Sequence, residues 1–292
     1  MSTPGSLDLP EGARRTTVAT SRGAFAALEA RPAAGPRELG TALLVPGYTG
    51  SKEDFLAILG ELAAAGRRVI AIDMRGQYQT AGPDDPDAYD PAELGKDIAA
   101  LAAATETTHL LGHSFGGLVV REAILGGYAP GSVTLLSSGP AALSGPRAEE
   151  LHTFLNHVDG VPGPALTAEI AEVWHASSKP QAVAAGVPGE IVAFLEERML
   201  ANNPTALVTM ATHLLKADDK TADLAARQIP AFVLYGEDDN AWPATQQADM
   251  AERLSAEQTC IPGAGHNPNV EAPATTAHAL TAFWEKIEGP GR

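Results

Sequence analysis

Gly112-His113-Ser114-Phe115-Gly116 places a serine between two glycines, at the junction of two differently patterned segments. Residues 107–111 before it form a short apolar run typical of a buried strand, and residues 114–125 carry apolar side chains at helical spacing. A serine in such a strand-to-helix turn predicts a nucleophile elbow, whose strained backbone holds the hydroxyl clear of the sheet. The flanking glycines allow the close backbone approach that this turn requires.

A serine hydroxyl is a poor nucleophile at neutral pH, so the elbow requires a histidine base and a carboxylate that orients it. Near the end of the chain, Gly263-Ala264-Gly265-His266-Asn267-Pro268 follows the short strand pattern of residues 258–261 and precedes a predicted helix from about Glu271. We therefore expect His266 on a loop at a strand end, where it is the candidate general base.

The carboxylate is expected after the apolar strand pattern of residues 231–235. That pattern runs into Gly236-Glu237-Asp238-Asp239-Asn240-Ala241-Trp242-Pro243, in which three adjacent carboxylates compete for the role. The residues alone leave the choice among the three open.

Together, the elbow, the Gly-x-x-Asp-x-x-x-Pro spacing that starts at Gly236, and the Gly265-His266-Asn267-Pro268 loop resemble the α/β-hydrolase fold family. The resemblance implies a serine, acid, histidine triad in that chain order. It assigns the acid to Asp239, which is the third residue after the glycine and lies four residues before the proline. The implied catalytic residues are thus Ser114, Asp239 and His266.

Two other placements of the acid are less favoured. Asp238 stays open as an alternative to Asp239, and Glu237 ranks below both. Some family members carry the acid one strand earlier, but the strand pattern of residues 132–136 here runs into Ser137-Ser138-Gly139, which holds no carboxylate. This absence favours the later strand.

The resemblance also implies two backbone amides that stabilise the oxyanion formed during attack on a carbonyl. One is the N–H of Phe115, at a helix start where unsatisfied amides favour an anion. The other is the N–H of Tyr48, in the loop Pro46-Gly47-Tyr48-Thr49-Gly50 that follows the strand pattern of residues 41–45. The family usually has His-Gly where this chain has Pro46-Gly47, so a side chain that supports the loop is replaced.

Strand and helix patterns alternate from about residue 15 to residue 138, which predicts a mostly parallel sheet with helices on both faces. Between about residues 140 and 229 strand patterns give way to helical segments, at 167–176, 190–201 and 205–215, separated by proline and glycine. We therefore predict an α/β-hydrolase core of residues 1–139 and 230–292, with an all-helical cap of residues 140–229 inserted after the sixth core strand.

A cap over the strand ends would cover the serine and determine the choice of substrate. The predicted substrate-binding residues, which are aromatic or histidine side chains near the site or in the cap, are Tyr48, Trp174, His152, His213 and Trp242. Phe154, His157, Met199 and Met210 are further candidates, although such residues also fill helical cores.

Other conspicuous residues have structural interpretations. His113 is expected to point away from the serine and pack against a neighbouring strand. Asp73 and Arg75, in an Asp-x-Arg-Gly turn, are expected to stabilise a loop. Cys260 is expected to be buried in the strand before the histidine loop. The apolar face of the C-terminal helix, residues 275–287, is expected to pack on the sheet, with a homodimer contact as the alternative.

The chain has 292 residues, of which 45% are hydrophobic, and it can bury a sizeable core. Its formal net charge of −16 argues against nucleic acid or anionic membranes as partners, because both require a positive surface. A single cysteine permits no intramolecular disulfide, and the first twelve residues lack the pattern of a signal peptide. We expect a cytoplasmic monomer or homodimer that acts on a small molecule.

No cofactor or metal is predicted, since the eight histidines lack the spacing of zinc sites and no glycine-rich phosphate loop is found. The leading hypothesis is a serine esterase that cleaves a small to medium acyl substrate through an acyl-enzyme. Cofactor-free haloperoxidase or perhydrolase activity and carbon–carbon bond hydrolysis are enzymatic alternatives of the same fold. A receptor that binds a small molecule with little turnover is the alternative from another class.

Overall fold

The central element of the structure, a computed structural model that describes residues 2–32 and 39–289, is an eight-stranded sheet. In chain order the strands are β1 (Ala13–Thr20), β2 (Gly23–Ala30), β3 (Thr41–Val45), β4 (Val69–Ile72), β5 (Thr107–His113), β6 (Ser132–Leu136), β7 (Ala231–Gly236) and β8 (Glu257–Ile261).

The spatial order of the strands is β1-β2-β4-β3-β5-β6-β7-β8. The pairs β1–β2 and β2–β4 are antiparallel, and every pairing from β4 through β3 to β8 is parallel. The predicted α/β class with a mostly parallel sheet is therefore confirmed. In such a sheet the carboxyl ends of β3, β5, β7 and β8 all lie on the same side of the molecule. Ligands bind at these strand ends in open α/β folds.

Twelve α-helices accompany the sheet in the described ranges. They are α1 (Leu56–Ala64), α2 (Pro91–Thr105), α3 (Phe115–Leu125), α4 (Gly145–Val158), α5 (Gly163–Val173), α6 (Lys179–Ala184), α7 (Gly189–Ala201), α8 (Pro204–Leu214), α9 (Thr221–Ala225), α10 (Ala244–Leu254), α11 (Pro268–Glu271) and α12 (Pro273–Glu288).

Alternate residues of the parallel strands point to opposite faces of the sheet, so the core has two layers. Leu43, Leu110 and Val233 lie in the layer that includes α2 and α3. Leu44 and Leu111 lie in the opposite layer with α1 and α12. These strands are buried on both faces, which explains why their sequences are continuous apolar runs rather than alternating ones.

The C-terminal helix α12 packs on the sheet, as its apolar pattern predicts. Leu280, Phe283 and Trp284 are buried, and the Phe283 ring stacks on that of Phe232 in β7. This face is therefore covered within the chain and is not available to a dimer partner.

Residues 137–230, all of which the structure describes, contain helices α4–α9 and no strand. Helices α5 and α6 are joined through one π-helical turn, Trp174–Ser178. The three predicted helical segments correspond to α5, α7 and α8. We call residues 137–230 the helical insert, and the division into a core and a separate cap domain remains a prediction.

The expected burial of Cys260 is wrong, because the thiol side chain is exposed. β8 pairs with β7 alone and forms an edge of the sheet. Four of its five residues are exposed or half-buried, and only Ile261 is buried. The apolar character of the short strand was thus a poor guide to burial at the sheet edge.

Candidate active site

Ser114 lies in the turn between β5 and α3, with φ 53° and ψ −121°. This backbone region is unfavourable for a residue with a side chain, so the surrounding structure must hold the serine in place. The Ser114 amide donates to the carbonyl of Leu136 in β6 at 2.9 Å. A Cβ added to Gly112 would lie within 3.0 Å of the Gly116 carbonyl, which shows why the turn requires glycine at Gly112.

His266 contacts the serine and a carboxylate at the same time. Its Nε2 lies 3.0 Å from Ser114 Oγ, and its Nδ1 lies 2.9 Å from Asp239 Oδ1. A carboxylate can only accept, so Nδ1 carries the proton and Nε2 is free to accept the serine proton. The structure therefore brings together the serine, histidine and aspartate that the sequence motifs single out.

Asp239 is almost completely buried at the start of the β7–α10 loop. Its Oδ1 accepts from the Ala241 amide at 2.8 Å, and its Oδ2 accepts from Gln247 Nε2 at 2.9 Å. Burial alone would raise the pKa of Asp239, but the hydrogen bonds and charge of His266, with the other donors, lower the pKa overall. The carboxylate is thus held in its charged form.

The two competing carboxylates lie elsewhere. Asp238 is exposed, and its amide donates to the Ala264 carbonyl at 2.9 Å. Glu237 is also exposed and accepts from the Gly263 amide at 3.1 Å. The geometry therefore favours Asp239 as the partner of His266.

The loop after β3 lies directly against the elbow. A Cβ on Gly47 would lie 2.9 Å from Ser114 Cβ, so this approach requires glycine. The amides of Tyr48 and Phe115 donate no hydrogen bond to any residue in the ranges 2–32 and 39–289. Two unpaired donors next to the serine are what an oxyanion would require.

Gln77 supports this loop, in which Pro46 stands where the family usually has histidine. Its Nε2 donates to the Gly47 carbonyl at 2.9 Å, and its Oε1 accepts from the Met74 amide at 3.2 Å. Gln77 is buried and follows the Asp-x-Arg-Gly turn. Within this turn, Asp73 accepts from Lys52 and Arg75 pairs with Asp97, in agreement with their expected structural roles.

His113 does not pack only against a neighbouring strand, as we expected, but holds the histidine loop. Its Nε2 donates to the His266 carbonyl at 2.9 Å. Burial lowers the pKa of His113 to about 3, so this ring stays neutral. On the other side of the loop, the Glu271 carboxylate accepts from the amides of Gly265 and Asn267.

A cavity of about 1030 Å³ opens onto Ser114 and His266. Gly47 and Tyr48 line it on the core side, and the helical insert supplies most of the remaining wall. The apolar lining residues include Leu143, Leu151, Phe154, Ile170, Val173, Trp174, Met199 and Leu207. Charged residues of the lining include Arg147, Glu149, Glu150 and Glu172.

Two of the five predicted substrate-binding residues, Tyr48 and Trp174, line this cavity. Trp242 does not line it; its ring is fully buried, and Nε1 donates to the Ala141 carbonyl at 3.0 Å. His152 is exposed on α4 outside the cavity wall. His213 faces away, with Nε2 3.9 Å from Asp90 Oδ2.

Among the further candidates, Phe154, His157 and Met199 line the cavity, whereas Met210 is buried in the core. Sequence reasoning missed three residues that hold the site in place, namely Gln77, Gln247 and Glu271. The position of Gln77 directly after the Asp-x-Arg-Gly turn was an available signal. Gln247 and Glu271 had no comparable signal in the sequence.

The described part of the chain contains no helix long and apolar enough to cross a membrane. A model of the alpha/beta hydrolase family matches residues 42–279. The chain belongs to the alpha/beta hydrolase family. The match covers the sheet from β3 onward, the helical insert and the loops that carry the three hydrogen-bonded residues.

Proteins from other organisms are similar to most of this chain. A protein of Variovorax paradoxus, named "Putative carbamate hydrolase RutD", is 29% identical over 263 residues, which cover 88% of this chain and 96% of that protein. A thermophilic esterase from Thermogutta terrifontis superposes with a TM-score of 0.69 at 20% identity, over 94% of this chain and all of that one.

A bromoperoxidase from Bacillus anthracis gives a TM-score of 0.70 at 18% identity, over 93% of this chain and all of that one. At these identities the two solved structures show a common fold. Because this fold hosts different chemistries, function must be argued from the site.

Proposed function

We propose that this alpha/beta hydrolase is a serine hydrolase that cleaves a carboxylic ester of a small to medium substrate through an acyl-enzyme. The observation that carries the proposal is the unbroken hydrogen-bonded series from Asp239 through His266 to Ser114. Each atom in the series has the role that acyl transfer requires of it.

In the proposed mechanism, His266 Nε2 takes the proton of Ser114 as Oγ attacks the ester carbonyl. Asp239 accepts from Nδ1 and stabilises the imidazolium that forms. The imidazolium then donates its proton to the departing alkoxide, which leaves an acyl group on Ser114. Water, activated by the same imidazole, attacks the acyl-enzyme and releases the acid.

The negative charge that develops on the carbonyl oxygen requires donors that are already in position. The amides of Tyr48 and Phe115 flank the serine and lack other partners in the described ranges. We assign the oxyanion hole to these two groups. The N-terminus of α3, where Phe115 lies, adds the favourable end of a helix dipole.

The cavity supports an ester with an apolar group of moderate size. Aliphatic and aromatic side chains form a large part of its lining, while polar side chains lie near the serine, on α4 and between Glu172 and Gln181. Such a lining stabilises an apolar acyl or alkoxy group by about 0.8 kcal/mol for each buried CH₂. Activity should therefore increase with chain length until the cavity is filled.

A carbamate is the second candidate substrate, supported by the similarity to the Variovorax protein. A carbamate ester carbonyl is open to the same attack by Ser114, which expels the alcohol and leaves a carbamoyl group on Oγ. Water then releases a carbamic acid, which loses CO₂ to give an amine. The haloperoxidase alternative has only the fold likeness to the bromoperoxidase in its support. The receptor alternative lacks a specific observation, since the three residues are poised for turnover.

The test is intact-protein mass spectrometry after incubation with a fluorophosphonate, with Ser114→Ala as the control. We expect one adduct on the wild type and none on the variant. A series of p-nitrophenyl esters of graded length, with matched aryl carbamates, then ranks the two substrate classes. A folded wild type that forms no adduct and turns over no ester would overturn the proposal and favour the receptor alternative.

A further inference from the structure

Arg198 is a fully buried arginine at the junction between the helical insert and the core. It belongs to α7, and its Nη1 donates to Asp54 Oδ1 at 2.7 Å. Its Nη2 donates to the carbonyl of Ser2, also at 2.7 Å. The side chains of Arg198 and Asp54 both have zero exposure. Asp54 and Ser2 line the same cavity as Ser114.

A buried ion pair between two segments carries a large desolvation free energy, because both charged groups lose their hydrating water. Apolar side chains of similar volume often give equal or greater stability. Stability alone therefore does not explain why this pair is present, and the explanation must come from what the two groups contact.

Asp54 is in direct contact with the loop next to the serine. Its Oδ2 accepts from the Ser51 amide at 3.3 Å. The same oxygen lies so close to Gly50 that a Cβ there would come within 3.0 Å of it. The Gly50 amide in turn donates to the Gly47 carbonyl at 3.1 Å. Arg198 is thus linked through Asp54 and the Gly47–Gly50 turn to Gly47, which lies against Ser114.

The core side of this loop is fixed independently. The amide and the ammonium of Lys52 both donate to Asp73, each at 2.8 Å, and both side chains are buried. Gln77 holds the Gly47 carbonyl from the same direction. Arg198 supplies the contact from the insert. The loop is therefore held on one side by core residues and on the other by α7, through Asp54.

We infer that Arg198 is a positioning residue, which acts through Asp54 to hold the Tyr48 amide in place for the oxyanion. The inference rests on the function proposed above. It makes the position of α7 part of the catalytic geometry. When α7 is displaced, Asp54 loses its charged partner, and the Gly47–Gly50 turn loses the support that comes from the insert. The insert then influences the rate of the chemical step as well as the choice of substrate.

The test compares Arg198→Met with the double variant Asp54→Leu/Arg198→Met. Arg67→Met is the matched control, because Arg67 is also fully buried and paired, with Glu288, but lies at the amino-terminal end of β4, whereas Ser114 follows the carboxyl end of β5. The readouts are kcat and KM for a short p-nitrophenyl ester, the melting temperature, and hydrogen–deuterium exchange of a peptide that covers residues 46–55.

We expect Arg198→Met to lower kcat about 30- to 100-fold and to change KM less than about threefold, since a misplaced oxyanion donor acts on the transition state. Exchange at residues 46–55 should rise in this variant and not in Arg67→Met. The double variant should regain melting temperature without regaining kcat, because Asp54 is still missing. A double variant with wild-type kcat would show that the pair only fastens the insert, and would overturn the inference.

Arg198→Lys keeps a cation opposite Asp54 and serves if the Met variants do not fold. We expect its kcat within about threefold of wild type, with normal exchange at residues 46–55. A large loss of kcat with normal exchange there would overturn the inference. A wild type without ester turnover or fluorophosphonate adduct would refute the proposed function instead, and the exchange data would still decide whether Arg198 holds the loop.

Discussion

At the scale of single residues, the site depends on the difference between two adjacent aspartates. Asp239 is buried and accepts from His266, whereas Asp238 is exposed one residue earlier. Only the first can fix the tautomer of the imidazole and stabilise its charged form.

Asp239→Asn should therefore lower kcat about 10³- to 10⁴-fold, while Asp238→Asn should stay within about twofold of wild type. Steady-state rates on one p-nitrophenyl ester, with circular dichroism to verify folding, provide the measurement. If Asp238→Asn were the damaging substitution, the assignment of the acid would be wrong.

Gln77 gives a second prediction at this scale, because its side chain bonds both to the loop of residues 46–50 and to the turn after β4. Gln77→Met has nearly the same volume but cannot donate to the Gly47 carbonyl. We expect kcat to fall about tenfold with KM little changed, as for partial loss of an oxyanion donor. A loss confined to KM would instead place Gln77 in substrate binding.

At the scale of elements, the contact between α3 and the β3 loop requires a position without a side chain. A Cβ on Gly116 would lie within 3.0 Å of the carbonyls of Pro46 and Val45, which belong to backbone and cannot rotate away. The first turn of α3 and the loop of residues 46–50 can thus pack closely because Gly116 has no side chain.

Gly116→Ala should push α3 away from this loop, lower kcat at least about 100-fold and destabilise the fold by about 1–3 kcal/mol, as for overpacking. Gly189→Ala is the control, since no atom lies within 4 Å of its added Cβ at the start of α7. Thermal unfolding and ester turnover measured together test the prediction. Equal behaviour of the two variants would contradict the described packing.

At the scale of the whole molecule, Glu288 ties the end of α12 to the sheet. Its carboxylate accepts from Arg67, from His109 Nε2 at 3.0 Å and from the Gly40 amide at 3.0 Å. Burial would raise the pKa of Glu288, but these donors outweigh it and lower the pKa to about 2. A folded-state pKa below the ordinary value of 4.5 stabilises the fold above that pH, and the contribution is lost as pH falls from 4.5 toward 2.

Glu288→Gln should remove about 1–2 kcal/mol of stability at pH 7, a range that allows for partial solvent screening, and should flatten the dependence of stability on pH below 4.5. Urea unfolding at several pH values between 3 and 7 measures both effects. Glu257→Gln, which breaks an exposed pair with Lys286, is the control and should change stability by less than about 0.5 kcal/mol.

The sequence predicted those parts of the molecule that depend on local pattern. Buried strands appear as apolar runs, the insert as helical periodicity, and the three site residues as motifs at strand ends. The supports of the site were not predictable in this way. Arg198 and Asp54 are 144 positions apart, and Gln77 reaches back 30 positions to Gly47, so only the three-dimensional packing reveals these pairs.

The exposed position of Cys260 determines where this protein can be alkylated or oxidised in solution. Partial burial raises the pKa of the thiol, and the nearby Glu237 and Asp238 raise it further. The thiolate fraction at neutral pH is therefore smaller than that of an ordinary cysteine, which makes alkylation and air oxidation slower than at such a thiol. This one thiol therefore offers a single attachment point for a fluorophore, and mildly alkaline conditions favour the reaction.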